Sequence, residues 1–281
     1  MARDLLPLVR DALADRYAVE REIGRGGAAR VYLAHNQAGD AVALKVLHPE
    51  LQLSAMADRF LREIRLASSV AHPLIAPVLD SGKQDWLVYY VMPLIEGPTL
   101  RACINREMHL TVADTARVGA DLLDALGHAH AHGIVHRDVK PENVIISAKG
   151  AVLVDFGVAR AIEALAADRV TATGMTVGTA GYMSPEQAAA APDLDTRSDI
   201  YAVGAVLFEC LAGRPPYAHR NQHIVLQMQL AQPAPDVRTF RADTPPALAG
   251  AIARALEKER ERRWQTAAEM HAALAQITSG H

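Results

Sequence analysis

Apolar positions at the start of the chain recur at helical spacing: Leu5, Leu8, Val9 and Leu13 share one face, with acids and arginines opposite. They predict a helix over residues 1–16, packed on the small lobe or serving as a simple N-terminal leader. From Tyr17 the period shortens to two. Tyr17–Ile23 alternates, Gly24–Gly27 interrupts, Ala29–Ala34 resumes, and Asn36–Asp40 turns the chain into Ala41–Leu47, an antiparallel meander. A helix is predicted from Ala55 to Ser69, with Phe60, Leu61, Ile64 and Leu66 apolar and His72-Pro73 as its stop. Two more strands, Ile75–Leu79 and Trp86–Met92, lead to Pro93-Leu94-Ile95-Glu96-Gly97-Pro98, whose Pro/Gly punctuation reads as a linker. Beyond it the helical period dominates: Thr99–Glu107, Val112–His132, Ser198–Ala212, His219–Gln229, Ala247–Glu257 and Thr266–Ile277. Two short β-like runs, Val144–Ile146 and Val152–Val154, interrupt it, and there is no internal repeat.

At 281 residues, half of them hydrophobic and 22% charged, the chain buries a large core and is expected to be globular with two lobes. A formal net charge of −3 gives no reason to expect a nucleic-acid partner or a basic membrane-surface patch. The two cysteines, Cys103 and Cys210, stand in apolar surroundings and read as buried thiols in a reducing cytoplasm. No signal peptide opens the sequence, and the nearly uncharged run Ile200–Ala212 is shorter than the about 20 residues a membrane span takes. A soluble, cytoplasmic protein is the expectation.

The candidate chemistry lies in His136-Arg137-Asp138-Val139-Lys140-Pro141-Glu142-Asn143, followed by Asp155-Phe156-Gly157. Phosphoryl transfer from a magnesium nucleotide needs such parts: a carboxylate to take the acceptor hydroxyl proton, an amide oxygen and a second carboxylate for the metal, and a cation for the moving charge. The flanking apolar runs would place both segments at the ends of neighbouring strands, facing one cleft. With Gly24-Arg25-Gly26-Gly27-Ala28-Ala29-Arg30-Val31 and Val42-Ala43-Leu44-Lys45 upstream, the sequence resembles the bacterial branch of the eukaryotic-like (Hanks-type) serine/threonine protein kinases from about Tyr17 to Ile277.

That resemblance implies an α+β bilobal fold. The kinase domain would cover 17–278, with a β-rich small lobe at 17–92 holding one main helix, a hinge at 93–98, a mostly helical large lobe at 99–278 and a tail at 279–281. It implies ATP and Mg²⁺ as cofactors and a protein serine or threonine as acceptor. Asp138 would be the catalytic base and Lys140 would stabilise the γ-phosphate, while Asn143 and Asp155 would hold the metal. Backbone N–H groups of Gly24, Arg25, Gly26, Gly27, Ala28 and Ala29 would cover the phosphates; Ala29 stands where the family's third glycine usually does. Lys45, held by Glu63, would pair the α- and β-phosphates. Ile23, Val31, Ala43, Met92 and Ile145 would sandwich the adenine, with Ile95 as hinge donor because Pro93 has no N–H.

Asp155–Glu186 reads as the activation segment, ending in Ser184-Pro185-Glu186, a serine variant of the family's Ala-Pro-Glu. Thr171, Thr173 and Thr176 are the expected autophosphorylation sites, with Arg137 to dock a phosphate and a transient homodimer for transfer in trans. Thr179 is expected to contact Asp138 and Lys140. Asp199 should tie down the catalytic loop and Arg263 should pair with Glu186, whereas His136 should pack beneath Phe156. His128 and His132, at i,i+4, are read as part of the helix before the loop and not as metal ligands. Glu142 would favour a basic residue near the acceptor. A pseudokinase is disfavoured by the full set Lys45, Glu63, Asp138, Asn143 and Asp155, and a small-molecule kinase by the activation segment with Asp199 and Arg263. The family's chains often continue into a membrane helix and sensor repeats, so a sequence stopping at His281 is expected to be a free-standing kinase or one whose partner supplies the input.

Overall fold

Three hydrophobic residues spaced by four, Leu5, Val9 and Leu13, are buried on one side of the first helix, α1 (Leu6–Leu13), whereas Leu8 is exposed. The computed structural model describes residues 5–26, 29–47, 57–58, 61–62, 64, 70–84, 86–156 and 179–278. Strands β1 (Ala18–Arg25), β2 (Ala29–His35), β3 (Ala41–Leu47), β4 (Asp80–Gln84) and β5 (Leu87–Pro93) form one antiparallel sheet in the order β1-β2-β3-β5-β4. Because strand side chains alternate between faces, the sheet has two cores. Tyr32, Val42, Leu44, Val46, Tyr89 and Val91 bury one face against α1. Ala29, Leu47, Val88 and Tyr90 bury the other against Ala57, Leu61 and Ile64, which are helical, within the expected Ala55–Ser69 helix. The first helix is therefore packed on the sheet as part of its core. Its exit is pinned at Asp80, whose Oδ2 accepts from Arg16 Nη2 at 2.8 Å and from the Tyr17 hydroxyl at 2.6 Å.

The fourth strand differs from expectation. The apolar run Ile75–Leu79 is not a sheet strand, because Pro77 in its middle has no N–H for a ladder. The chain instead pairs through the polar segment Asp80–Gln84, at the sheet edge. Ile75 makes an isolated parallel bridge to Leu153, and the Leu153 N–H donates to the Leu74 carbonyl at 2.9 Å.

The chain divides into two compact units. Of the described residues, those within Met1–Ala71 and Ala76–Ile95 form one, and those within His72–Ile75, Glu96–Phe156 and Val177–His281 the other. The second holds α2 (Leu100–Glu107), α3 (Val112–Ala131), the ribbon β6 (Val144–Ser147) and β7 (Gly150–Leu153), then α4 (Pro185–Ala188), α5 (Arg197–Ala212), α6 (Gln222–Ala231), α7 (Pro246–Ala255) and α8 (Ala267–Thr278). In α5 every residue from Ser198 to Leu211 is buried, as befits a helix packed on several sides, and α3 and α7 are among its neighbours. Thr99, Thr111 and Asn221 cap α2, α3 and α6, and α6 begins at Gln222, three residues later than the sequence suggests. Among the described residues, no helix is long and apolar enough to cross a membrane.

Candidate active site

The loop from His136 to Asn143 runs between α3 and β6, and its shape is set by side chains that bond its backbone. Asp199, in the first turn of α5 and 1% exposed, accepts from the His136 N–H through Oδ2 and from the Arg137 N–H through Oδ1, each at 2.8 Å. His130 Nε2 lies 2.8 Å from the same Oδ2. Burial pushes the Asp199 carboxyl up, but the bonds from His130 and the backbone outweigh it and hold it below its ordinary range. These bonds stabilise Arg137 in the left-handed region at φ 69°, which costs a residue with a Cβ about 1–2 kcal/mol. Asp199 thus ties down the loop as expected, while the part of His130 was not legible from its position in α3.

His136 is fully buried between two backbone groups. Its Nε2 is 3.1 Å from the Val154 carbonyl, which can only accept, so that nitrogen carries the proton. Its Nδ1 then accepts the Asp138 N–H at 3.2 Å. Both nitrogens are committed, and the ring meets Phe156 edge-on at 4.6 Å. This is a packing residue beneath Phe156.

Asp138, Lys140 and Asn143 come together. Lys140 Nζ donates to both carboxylate oxygens of Asp138, at 2.8 and 2.6 Å. Asn143 Nδ2 donates to the Asp138 carbonyl at 2.9 Å and to its Oδ2 at 3.0 Å. Both partners are acceptors, so the amide nitrogen must face them and the amide oxygen turns away. The Asn143 carbonyl in turn receives the Val154 N–H at 2.9 Å, which fixes the loop to the residue before Asp155. Asp155 has φ 65°, again left-handed.

Among the described residues no cluster of three or more His, Cys, Asp or Glu side chains is arranged to hold a metal. A divalent ion at Asn143 and Asp155 would have one amide oxygen and one carboxylate, with water and phosphate oxygens for the rest. That hard, incomplete donor set suits an ion that arrives with its nucleotide.

In the small unit, register puts Val31 opposite Lys45 and Lys45 opposite Tyr90, then Ala43 opposite Met92. Val31, Ala43, Lys45 and Met92 therefore share the face that also buries Ala29 and Tyr90, and Lys45 Nζ lies 5.8 Å from the centre of the Tyr90 ring. Ile23 is exposed within β1. Gly24 pairs with Val31, and the Gly26 N–H donates to the Ala29 carbonyl at 2.9 Å. Neither glycine has positive φ, and a Cβ on either would meet only ordinary contacts among the described residues, none nearer than 3.6 Å. The chain's own packing does not demand glycine there, which fits a strand edge kept bare for a close-approaching ligand. The Ala29 methyl is buried on the helix side. The Leu94 N–H is used on the Ala41 carbonyl, so with Pro93 lacking one the next N–H is that of Ile95. Gly27, Ala28, Glu63, Gly157, Thr171, Thr173, Thr176 and the Thr179 side chain lie outside the described residues.

The end of the activation segment is anchored twice. Arg263, fully buried, forks onto both Glu186 oxygens at 2.7 and 2.8 Å, and Ser198 donates to Glu186 at 2.7 Å. Burial raises the Glu186 carboxyl, but the Arg263 guanidinium more than offsets it and holds the group below its ordinary value. Ser184 and Gln187 form a capping box at α4, and Gln187 Nε2 reaches the Arg137 carbonyl at 2.8 Å. The spacing Ser184-x-x-Gln187 was the available sequence signal for the capping box, and the bond to Arg137 had none.

Comparison with known proteins agrees with this arrangement. The protein kinase domain family matches residues 17–274. The chain belongs to that family. It is 39% identical over 276 residues to the serine/threonine-protein kinase PknB of Mycolicibacterium smegmatis, covering 95% of this chain and 44% of the relative. PknB of Mycobacterium tuberculosis is likewise 39% identical, over 279 residues, with the same two shares covered. The DNA damage-responsive serine/threonine-protein kinase RqkA of Deinococcus radiodurans is 38% identical over 263 residues, 92% of this chain and 39% of that one. The chain thus spans less than half the length of these relatives. The kinase fold itself, an antiparallel sheet unit and a helical unit, is as the sequence implied.

Proposed function

We propose that residues 17–278 are the catalytic domain of an ATP-dependent protein kinase acting on serine and threonine hydroxyls, with the small lobe at 17–92, the hinge at 93–98 and the large lobe at 99–278. The observation that carries this reading is the clasp on Asp138, whose carboxylate is held by Lys140 and Asn143 in a loop fixed by Asp199. In that setting Asp138 accepts the hydroxyl proton of the acceptor as the oxygen bonds to the γ-phosphorus and the bond to the leaving diphosphate breaks. Lys140 then moves its charge from the carboxylate toward the transferring group. Asn143 and Asp155 hold Mg²⁺, which when bound neutralises charge on the phosphates.

Lys45 pairs the α- and β-phosphates with Glu63 behind it, and the 24–29 backbone covers them. Ile23, Val31, Ala43, Met92 and Ile145 pack on the adenine, and the Ile95 N–H bonds its edge. Thr171, Thr173 and Thr176 are the sites of autophosphorylation, in trans within a transient homodimer, with Arg137 receiving the phosphate. The free, buried Cys103 and Cys210 suit a reducing cytoplasm.

The test is incubation with ATP and Mg²⁺ followed by phosphosite mapping, with Asp138→Asn alongside. The reading expects phosphate on Thr171 or Thr173 that is absent from the variant. Neither phosphate nor Mg-ATP binding in the wild type would sink it.

A further inference from the structure

Asp138 enters its loop on a peptide group that is held at both edges. The carbonyl of that group belongs to Arg137 and accepts from Gln187 Nε2 at 2.8 Å, while its N–H belongs to Asp138 and donates to His136 Nδ1 at 3.2 Å. The peptide group before it is held too, since the Arg137 N–H donates to Asp199 Oδ1 at 2.8 Å. A peptide group is planar, so fixing its oxygen and its hydrogen fixes the plane in which the Asp138 Cα lies, and so where its carboxylate starts. Of the three side chains that do this, Gln187 comes from α4, at the end of the activation segment.

The Gln187 amide is itself oriented. Its Oε1 accepts from the Ser184 N–H at 3.1 Å and from the Ser184 hydroxyl at 3.3 Å, and the Ser184 Oγ accepts from the Gln187 N–H at 3.3 Å. With the oxygen committed to these donors, the NH₂ faces the Arg137 carbonyl, which can only accept. The capping box alone would take glutamate as readily as glutamine. The bond to Arg137 would not, because a carboxylate oxygen would meet a carbonyl oxygen with no hydrogen between them. The amide at position 187 therefore answers to the catalytic loop and not to the helix it belongs to. Its neighbour Glu186 is seated on Arg263 and Ser198, so the anchored end of the activation segment reaches the base through one uncharged bond.

We propose that Gln187 is a positioning residue for Asp138: it fixes, from α4, the peptide plane on which the base is carried. The inference rests on the kinase reading above.

Gln187→Glu separates the two duties of the side chain, because it keeps the capping box and loses the donor. Gln187→Met is an uncharged counterpart of similar length. With dephosphorylated casein as acceptor, both should lower kcat about tenfold, the equivalent of one hydrogen bond, with KM for Mg-ATP within twofold of wild type. Hydrogen exchange at the Asp138 amide, read by NMR, should quicken at least tenfold in both, with the amides of α5 unchanged. A residue that only caps α4 would leave the kinetics of Gln187→Glu untouched, so kcat within twofold of wild type overturns the proposal. An equal rise in KM for Mg-ATP places the effect on the whole site and overturns it as well. Should Gln187→Glu not fold, Gln187→Met decides by the same readings. Where the wild type does not phosphorylate casein, the Asp138 exchange rate decides, and an unchanged rate overturns the proposal. Absence of self-phosphorylation as well counts against the kinase reading and leaves the exchange result standing.

Discussion

Asp199→Asn isolates how the catalytic loop is held, because it keeps size and removes only charge and one acceptor. Oδ2 serves the His136 N–H and His130, and Oδ1 serves the Arg137 N–H. Whichever way the amide is placed, an NH₂ faces a backbone N–H, so at least one charge-assisted bond is lost and one buried donor is orphaned. A bond to a charged group contributes about 1.5–3 kcal/mol, and an orphaned buried group costs about 1–3 kcal/mol. A loss near 3 kcal/mol is expected, which lowers the Tm of a chain this long by roughly 6–10 °C.

With its carbonyl still held by Gln187 but its N–H released, Arg137 can leave φ 69°, and Asp138 moves with it. A displacement of about 1 Å at a reacting group costs on the order of 10²-fold in rate. kcat should therefore fall about a hundredfold while KM for ATP changes little. Because the folded carboxyl lies below the ordinary aspartate value of 3.8, its contribution to stability is complete above that pH and is lost as pH falls further through the folded value. The variant should show a weaker dependence on acid in that range. Thermal scans at pH 7 and below, with steady-state kinetics, provide the check. A fall in Tm with kcat within threefold of wild type would refute the claim that Asp199 orients the loop.

Three further predictions follow from the same geometry. Asp138→Asn should lower kcat by about 10²–10⁴-fold, the usual worth of a positioned base, with Mg-ATP affinity kept in a binding titration; near-normal turnover would remove Asp138 from the mechanism. Arg263→Ala leaves Glu186 buried without its guanidinium and should cost about 3–5 kcal/mol in urea unfolding, with Glu186→Ala/Arg263→Ala losing less than the sum of the singles. Gly97→Ala places a Cβ 2.1 Å from the Ile146 carbonyl oxygen at φ 138°, so it should cost at least about 2 kcal/mol, measured by Tm; an unchanged Tm would mean that the linker yields freely.

Which parts of this could be read from the sequence depended on whether the signal was local. The Leu5, Val9, Leu13 spacing and the meander over β1–β3 announce themselves because burial follows a short period. Strand β4 does not: Asp80–Gln84 has no apolar alternation, and its pairing with β5 is made by backbone groups that every sequence carries. The neighbouring run Ile75–Leu79 looked more strand-like, but Pro77 decides otherwise. In the site, Asp138, Lys140 and Asn143 lie within six residues and were legible as a motif. His130 and Gln187 were not, since each acts on residues brought up by the fold from 69 and 50 positions away.

The short segment His72–Ile75 belongs by its contacts to the large unit, although the chain on both sides of it belongs to the small one. Its partner Leu153 is made 79 residues after Leu74. At a synthesis rate of roughly 5–20 residues per second, that interval lasts roughly 4–16 s. From Pro93 onward the small unit's sheet is complete in sequence, while the Leu153 to which Leu74 and Ile75 bond has yet to be made. A newborn chain thus carries a brief apolar exposure in the middle of an otherwise finished domain, and that is where a ribosome-associated chaperone would find its first grip.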